Sequence, residues 1–282
     1  MLSRRDFLAA TAAALTVRPA LAATPLAATP SSPLLLAAET GLLERSAGCD
    51  VVAQIDRAAE LGFRAFSDPS WTSRTLDEQH RILQGIRRQD MTPGPMVGPS
   101  GLLQDSRRWA TCDGIDCAIR VPLGPAALHC KTHTQLAKLW AMAADTADAS
   151  RRTLLVEPWD DARLGTAAFL RSAEIVRQVD HPRLRLSVDA HQLWRAGILL
   201  SDFGHRHCDI IGHVELPAMT SAFRTDAVVG LRALWRSGFR GVIGLRQGLA
   251  GHIATAEVQL AALRQRLEHD VTGEHTLTMD SL

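Results

Sequence analysis

The sequence predicts an α/β fold, a (β/α)8 TIM barrel whose third unit is compressed. Eight short apolar runs alternate with stretches of helical periodicity over roughly 245 residues, which suits a closed barrel better than an open doubly wound sheet. One junction recurs: Leu61-Gly62-Phe63-Arg64-Ala65 and Ser237-Gly238-Phe239-Arg240-Gly241 each close a helix and open an apolar run. Glycine there is expected at positive φ, with the next apolar residue entering the sheet. No Gly-rich phosphate loop of the GxGxxG or GxxxxGK type follows the first run, which weighs against a dinucleotide fold.

In chain order, the first strand is expected at Leu34 to Ala37 and the second at Phe63 to Phe66. Thr75-Leu76-Asp77-Glu78 is a capping box that opens a helix carrying Ile82, Leu83 and Ile86. Met91 to Val97 is a weaker strand, and residues 98–112 show little helical periodicity, which compresses the third unit. A fourth strand is expected at Ile115 to Ile119, followed by a helix with Leu136, Leu139, Trp140 and Ala143 on one face. Leu154 to Val156 is the fifth strand, and Phe169, Leu170, Ala173 and Val176 mark the inner face of the next helix. Leu184 to Val188 and Ile210 to Leu216 are the sixth and seventh strands. Val228, Leu231 and Trp235 lead to Gly238, a helix end, and Val242 to Leu245 is the eighth strand.

The N-terminus reads as an address rather than as fold. Ser3-Arg4-Arg5-Asp6-Phe7-Leu8 precedes a mild apolar run from Ala9 to Val17, and Pro19-Ala20-Leu21-Ala22 supplies a small-residue cleavage end. The SRRxFL string resembles the twin-arginine export signal, which implies the twin-arginine export machinery as a partner and a periplasmic location. The expected division is a signal peptide over 1–22, a flexible linker over 23–33, the barrel over 34–270 and a C-terminal tail over 271–282. The apolar run is too short to span a bilayer, so no stable membrane span is expected in the mature chain.

Composition narrows the function. Of 282 residues, 46% are hydrophobic and 22% charged, ordinary values that exclude a disordered chain. The net charge is +1; losing residues 1–22 removes Arg4, Arg5, Arg18 and Asp6 and turns it to −1. A near-neutral chain gives no electrostatic reason to expect nucleic acid as a partner. Five cysteines, Cys49, Cys112, Cys117, Cys130 and Cys208, are an odd count, and Cys112-x4-Cys117 lacks a second pair at zinc-finger spacing. They are expected as buried free thiols, with one bridge left open.

In a (β/α)8 barrel, chemistry gathers at the C-terminal ends of the strands. The fifth strand ends in Val156-Glu157-Pro158, the sixth in Val188-Asp189-Ala190-His191, the seventh in Gly212-His213-Val214-Glu215 and the eighth in Gly244-Leu245-Arg246. Oxygen and nitrogen donors on three successive strands form a convergent set of a kind that suits Mg2+, Mn2+ or Zn2+.

These strings, with Ala58-Ala59-Glu60-Leu61-Gly62-Phe63-Arg64-Ala65 and Gly238-Phe239-Arg240-Gly241-Val242-Ile243-Gly244-Leu245, resemble the xylose isomerase-like barrel superfamily. That group holds sugar isomerases and epimerases, hydroxypyruvate isomerase and inosose dehydratase relatives. The resemblance is divergent but runs over most of the mature chain. It implies a small carbohydrate-like substrate and a divalent ion held by Glu157, Asp189, Glu215 (or His213) and the residue at 246. That last position is Arg246, where the family has Glu. The Asp189–His191 spacing is one residue short, Pro217-Ala218-Met219-Thr220 replaces the usual Arg/Glu-Pro-Gly string, and Ser67-Asp68 replaces a Glu at the second strand end.

A guanidinium about 4 Å from a divalent ion repels it by roughly 8 kcal/mol at an effective dielectric of 20. Arg246 therefore stands against the metal, and its charge is suited to replacing the ion's by neutralising Glu157 or Asp189. Two readings follow. In the first, the chain is an isomerase- or epimerase-like enzyme that moves a proton on a small hydroxy-carbonyl substrate. Glu157 is then the base, Asp189 and Glu215 are metal ligands, and His191 or His213 orients substrate or substitutes as base. In the second, it is a non-catalytic carbohydrate-binding barrel whose ion site has decayed to a salt-bridged cluster around Arg246. A metal-dependent phosphodiesterase or abasic-site endonuclease shares the barrel but uses a larger His/Glu metal cluster and a basic face, and a near-neutral exported chain argues against it.

Overall fold

A computed structural model describes residues 34–98, 117–122, 132–158, 166–217, 221–246, 264–269 and 271. The expected signal peptide and linker, the segment 98–112 beyond Gly98, and nearly all of the expected tail lie outside these residues, as do Cys112 and Cys130. Among the described residues no helix is long and apolar enough to cross a membrane.

Strands and helices alternate as expected. The strands are β1 (Leu36–Glu39), β2 (Ala65–Ser67), β3 (Thr92–Pro93), β4 (Met96–Val97), β5 (Ala118–Pro122), β6 (Thr153–Glu157), β7 (Leu184–Asp189), β8 (Ile211–Pro217) and β9 (Val242–Arg246). The helices are α1 (Glu44–Ala47), α2 (Val51–Glu60), α3 (Leu76–Arg88), α4 (His133–Ala149), α5 (Thr166–Val179), α6 (Ala190–Arg195), α7 (Leu200–His207) and α8 (Ser221–Arg236). Each predicted apolar run contains a strand or overlaps one, shifted by up to three residues toward the C-terminus.

All strand pairs are parallel, in the order β3-β2-β1-β9-β8-β7-β6-β5-β4. The two edges of this sheet, β3 and β4, are the halves of one predicted strand, so the chain itself joins them and closes the barrel. Pro95, with no N–H to give, sits in the break. Gly94 donates to Phe66 O at 2.7 Å, and a Cβ at Gly94 would stand 2.2 Å from Ser67 Oγ. The third strand thus pairs with β2 through its first half and with β5 through its second.

Alternation along the strands divides apolar from polar. Leu36, Ala38, Phe66, Ile119, Val121, Leu154, Val156, Leu186, Val188, Val214, Leu216, Ile243 and Leu245 join one core with the helices. The intervening positions face the barrel interior, and they include the small or polar Ala37, Ala65, Ser187 and Gly244 as well as Leu155. Helix α3 opens with the predicted capping box, Thr75 N–H donating to Glu78 Oε2 at 2.8 Å and Glu78 N–H to Thr75 Oγ1 at 3.3 Å. In α5 the buried face is Ala168, Phe169, Ser172, Ala173, Ile175 and Val176. Leu170, predicted inside, is exposed, because it lies about 100° round the helix from Phe169.

The recurring Gly-Phe junction is a Schellman end. Phe63 N–H donates to Ala58 O and Phe239 N–H to Leu234 O, each at 3.0 Å, with Gly62 at φ 83° and Gly238 at φ 94°. The same bond closes α3 (Met91 to Ile86), α4 (Arg152 to Ala147) and α6 (Ile198 to Leu193). Asp90 and Arg151 take the positive φ at two of these ends.

Strand β8 carries the irregularity that matters to the site. Its register against β7 runs Leu186↔Ile211 and then Ser187↔His213, so Gly212 is an extra residue, a β-bulge. The bulge keeps Ile211 in the outer core while His213 and Glu215 face inward. A Cβ at 212 would stand 2.8 Å from both Arg185 Cβ and Leu155 Cδ2. The substitution Gly212→Ala is therefore expected to lower unfolding free energy by about 1–3 kcal/mol, measured by denaturant unfolding. An unchanged midpoint would show that the bulge has room to spare.

Candidate functional site

Seven inward side chains converge at the C-terminal ends of the strands. Glu39 comes from β1, Arg120 from β5, Glu157 from β6, Asp189 from β7, His213 and Glu215 from β8, and Arg246 from β9. Arg246 Nη2 donates to Asp189 Oδ2 at 2.5 Å. Its Nε stands 2.8 Å from Glu215 Oε1, an ion-pair separation without the alignment of a hydrogen bond. The other carboxylate oxygen of Glu215 pairs with Arg120 Nη1, and Arg120 Nη2 lies 3.6 Å from Glu39 Oε1. A single chain of alternating charge, Asp189–Arg246–Glu215–Arg120–Glu39, thus crosses the barrel mouth. Arg120, Asp189 and Glu215 are buried, whereas Arg246 keeps 26% of its side chain exposed.

Local structure explains the placement of Asp189. It ends β7 and caps α6, accepting from His191 N–H at 2.8 Å and Gln192 N–H at 3.0 Å through Oδ1. One oxygen serves the helix N-terminus and the other serves Arg246. A carboxylate at a helix start is favoured by the unpaired N–H groups there.

Burial governs the titration of two members. The Glu39 carboxyl is pushed up, chiefly by burial, with Glu157 and Asp68 adding repulsion and Arg120 and Arg246 opposing. His213 is pushed well down, first by burial and then by the Arg120 charge, so its imidazole is neutral. Ser187 Oγ and His213 Nδ1 share a hydrogen bond of 2.9 Å. On its other side the ring packs over Gly244, where a Cβ would come within 3.0 Å of Nε2.

The structure brings Asp189, Glu215 and Arg246 into direct contact. Arg246 does neutralise Asp189, but its second partner is Glu215 rather than Glu157. Glu157 stands half-buried at the end of β6, near enough to Glu39 for their charges to repel. His213 lies one layer below the network. His191 opens α6 at the rim, its ring stacked with that of exposed Trp194 at 6.1 Å between centroids. Sequence reasoning missed Glu39 and Arg120. The signal for Arg120 was a lone charge inside Ala118-Ile119-Arg120-Val121, and for Glu39 a carboxylate two residues beyond Ala37 on the same face. Of the thiols, Cys117 is buried as expected, but Cys208 is half-buried and Cys49 exposed. Cys49 lies at the loop before α2, and its Sγ donates to Glu44 Oε1 at 3.3 Å.

A divalent ion does not fit the residues present. Among the described residues no group of three or more His, Cys, Asp or Glu side chains is arranged to hold a metal. Asp189 and Glu215 give oxygens to guanidinium groups instead. An ion among them would meet Arg246 at close range, a repulsion of roughly 8 kcal/mol.

Solved structures of low sequence identity share this architecture. A xylose isomerase domain protein from Alicyclobacillus acidocaldarius matches with a TM-score of 0.61 at 16% identity, over 85% of this chain and 98% of that one. The fold the two share is the (β/α)8 barrel. The 3-keto-D-glucoside 4-epimerase of E. coli matches at 0.59 and 15% identity, over 82% of this chain and 99% of its own. A family 2 AP endonuclease from Brucella melitensis matches at 0.61 and 18% identity, over 83% and 98%. No protein-family model and no curated protein sequence matches the chain.

The raised Glu39 carboxyl makes a stability prediction with a definite sign. A carboxyl whose folded pKa lies above its unfolded value holds its proton more tightly when folded, so stability falls as pH rises through that interval. Glu39→Gln removes the titration. The variant is expected to gain stability relative to wild type at pH 7.5, and the gain is expected to shrink toward pH 4. Thermal melts across this range test it; a difference independent of pH would refute the assignment.

Proposed function

We propose that the chain is an exported sugar isomerase- or epimerase-like enzyme that moves a proton on a small hydroxy-carbonyl substrate. The observation that carries this reading is that Glu39 and Glu157 stand at the mouth of the barrel within electrostatic reach of each other, with Arg246 also acting on Glu39. Burial pushes the Glu39 carboxyl up, which suits it to hand on a proton, and Glu157 is given the opposite task by its place at the end of β6. Glu157 takes the proton from the carbon beside the carbonyl, and the electron pair moves onto the carbonyl oxygen. Glu39 returns a proton to carbon or oxygen. His213, buried and bonded to Ser187, serves the scaffold, and His191 at the rim is the histidine placed to touch substrate.

The fold shared with sugar epimerases supports a carbohydrate-like substrate, and the near-neutral charge supports no nucleic acid. The Ser3 to Ala22 string supports delivery to the periplasm by the twin-arginine route. One observation favours the second reading, a binding barrel without catalysis: Asp189 and Glu215 are already neutralised by guanidinium groups.

Proton exchange separates the two. Incubation with a panel of aldoses and ketoses in D2O is expected to place deuterium on the carbon beside the carbonyl, read by NMR. Glu157→Gln is expected to slow this at least about 100-fold while sugar binding persists. Saturable binding without exchange in wild type would favour the non-catalytic barrel, and neither binding nor exchange would sink both readings.

A further inference from the structure

Carboxylates turned inward at one barrel mouth need positive charge. Asp189, Glu215 and Glu39 are drawn together here by two guanidinium groups, Arg120 and Arg246, which are part of the chain and cannot dissociate. The two are not equivalent. Arg120 is 93% buried by side chain, with its Nη atoms on Glu215 and Glu39. Its Nε is buried and has no hydrogen-bond partner among the described residues. Arg246 commits Nη2 to Asp189 and Nε to the flank of Glu215. Its Nη1 has no partner among the described residues and belongs to a side chain that keeps a quarter of its surface open.

We propose that Arg246 is a catalytic residue that takes the part of a metal ion, its Nη1 donating to the substrate oxygen on which negative charge develops. This rests on the proton-transfer reading above. The two carboxylates hold the guanidinium through Nε and Nη2, so its position is fixed before substrate arrives, with Nη1 left to donate. Donors fixed in advance toward developing charge lower a barrier because nothing must reorient during the reaction. When Glu157 removes the proton, the pair that becomes the enolate is met by this N–H. When the proton returns, the charge on oxygen is discharged and Arg246 is unchanged. The site is therefore metal-independent.

The test joins metal binding to proton exchange. Wild-type protein titrated with Mn2+ by calorimetry is expected to show no stoichiometric uptake, and its deuterium exchange is expected to survive EDTA. Arg246→Glu puts a carboxylate beside Asp189 and Glu215, and is expected to bind about one Mn2+ per chain and to rise in Tm when it does. Arg246→Lys keeps the charge without the planar fork, and its kcat for exchange is expected to fall about 100-fold or more with little change in KM. Uptake of one Mn2+ by wild type with EDTA-sensitive exchange would overturn the inference and leave the proton-transfer reading standing. Full exchange in Arg246→Lys and Arg246→Gln would overturn the catalytic assignment alone. Absence of exchange in wild type on every sugar would sink the proton-transfer reading, while the Mn2+ titrations would still decide the charge replacement.

Discussion

Glu215 is buried at the centre of the barrel mouth with each carboxylate oxygen held by a different guanidinium. Leaving a carboxylate in that position unpaired costs several kcal/mol, and the same is true of Arg120. The partners must therefore be present together or not at all. Arg120 reaches from β5 to β8 and β1, strands that are not neighbours in the sheet, so the network spans the interior rather than running along one edge. Arg246 adds β7 and β9. The geometry of the site is consequently the geometry of the closed barrel, and any opening of the sheet would strand a charge.

The backbone accommodates this in three places. The bulge at Gly212 shifts the parity of β8, so that His213 and Glu215 turn inward while Ile211 and Val214 keep the outer core. Gly244 leaves space for the His213 ring, whose neutral form suits a buried layer where Arg120 is the charge that acts on it among the described residues. Asp189 divides its two oxygens between a helix N-terminus and Arg246, which fixes α6 and the guanidinium relative to each other. Each device involves a residue type with a definite reason: glycine where a Cβ collides, aspartate where a strand meets a helix.

Much of the architecture was legible because outward strand faces are apolar and keep their alternation with helices. The Gly62-Phe63 and Gly238-Phe239 junctions stood out for the same reason they exist, since glycine accepts positive φ. Their counterparts at Asp90 and Arg151 were hidden, because a non-glycine residue there satisfies the same Schellman geometry without a visible mark. The split of the third strand was hidden too: its cause is Pro95 and the tight packing of Gly94 on Ser67, a contact between strands. At the site, Asp189, Glu215 and Arg246 were readable as strand ends. Glu39 and Arg120 were not, because their role comes from contacts across the barrel that no local pattern records, and no count of spacing could have paired β5 with β1.

Arg120 and Glu215 are bound into one buried unit. A double-mutant cycle with Arg120→Met and Glu215→Met, followed by denaturant unfolding, tests it most directly. Each single variant strips a buried charge of one of its two partners, at an expected cost of up to about 3–5 kcal/mol. The double variant is expected to be more stable than either, with a coupling energy of at least about 2 kcal/mol. Single effects that add to within about 0.5 kcal/mol would contradict the account.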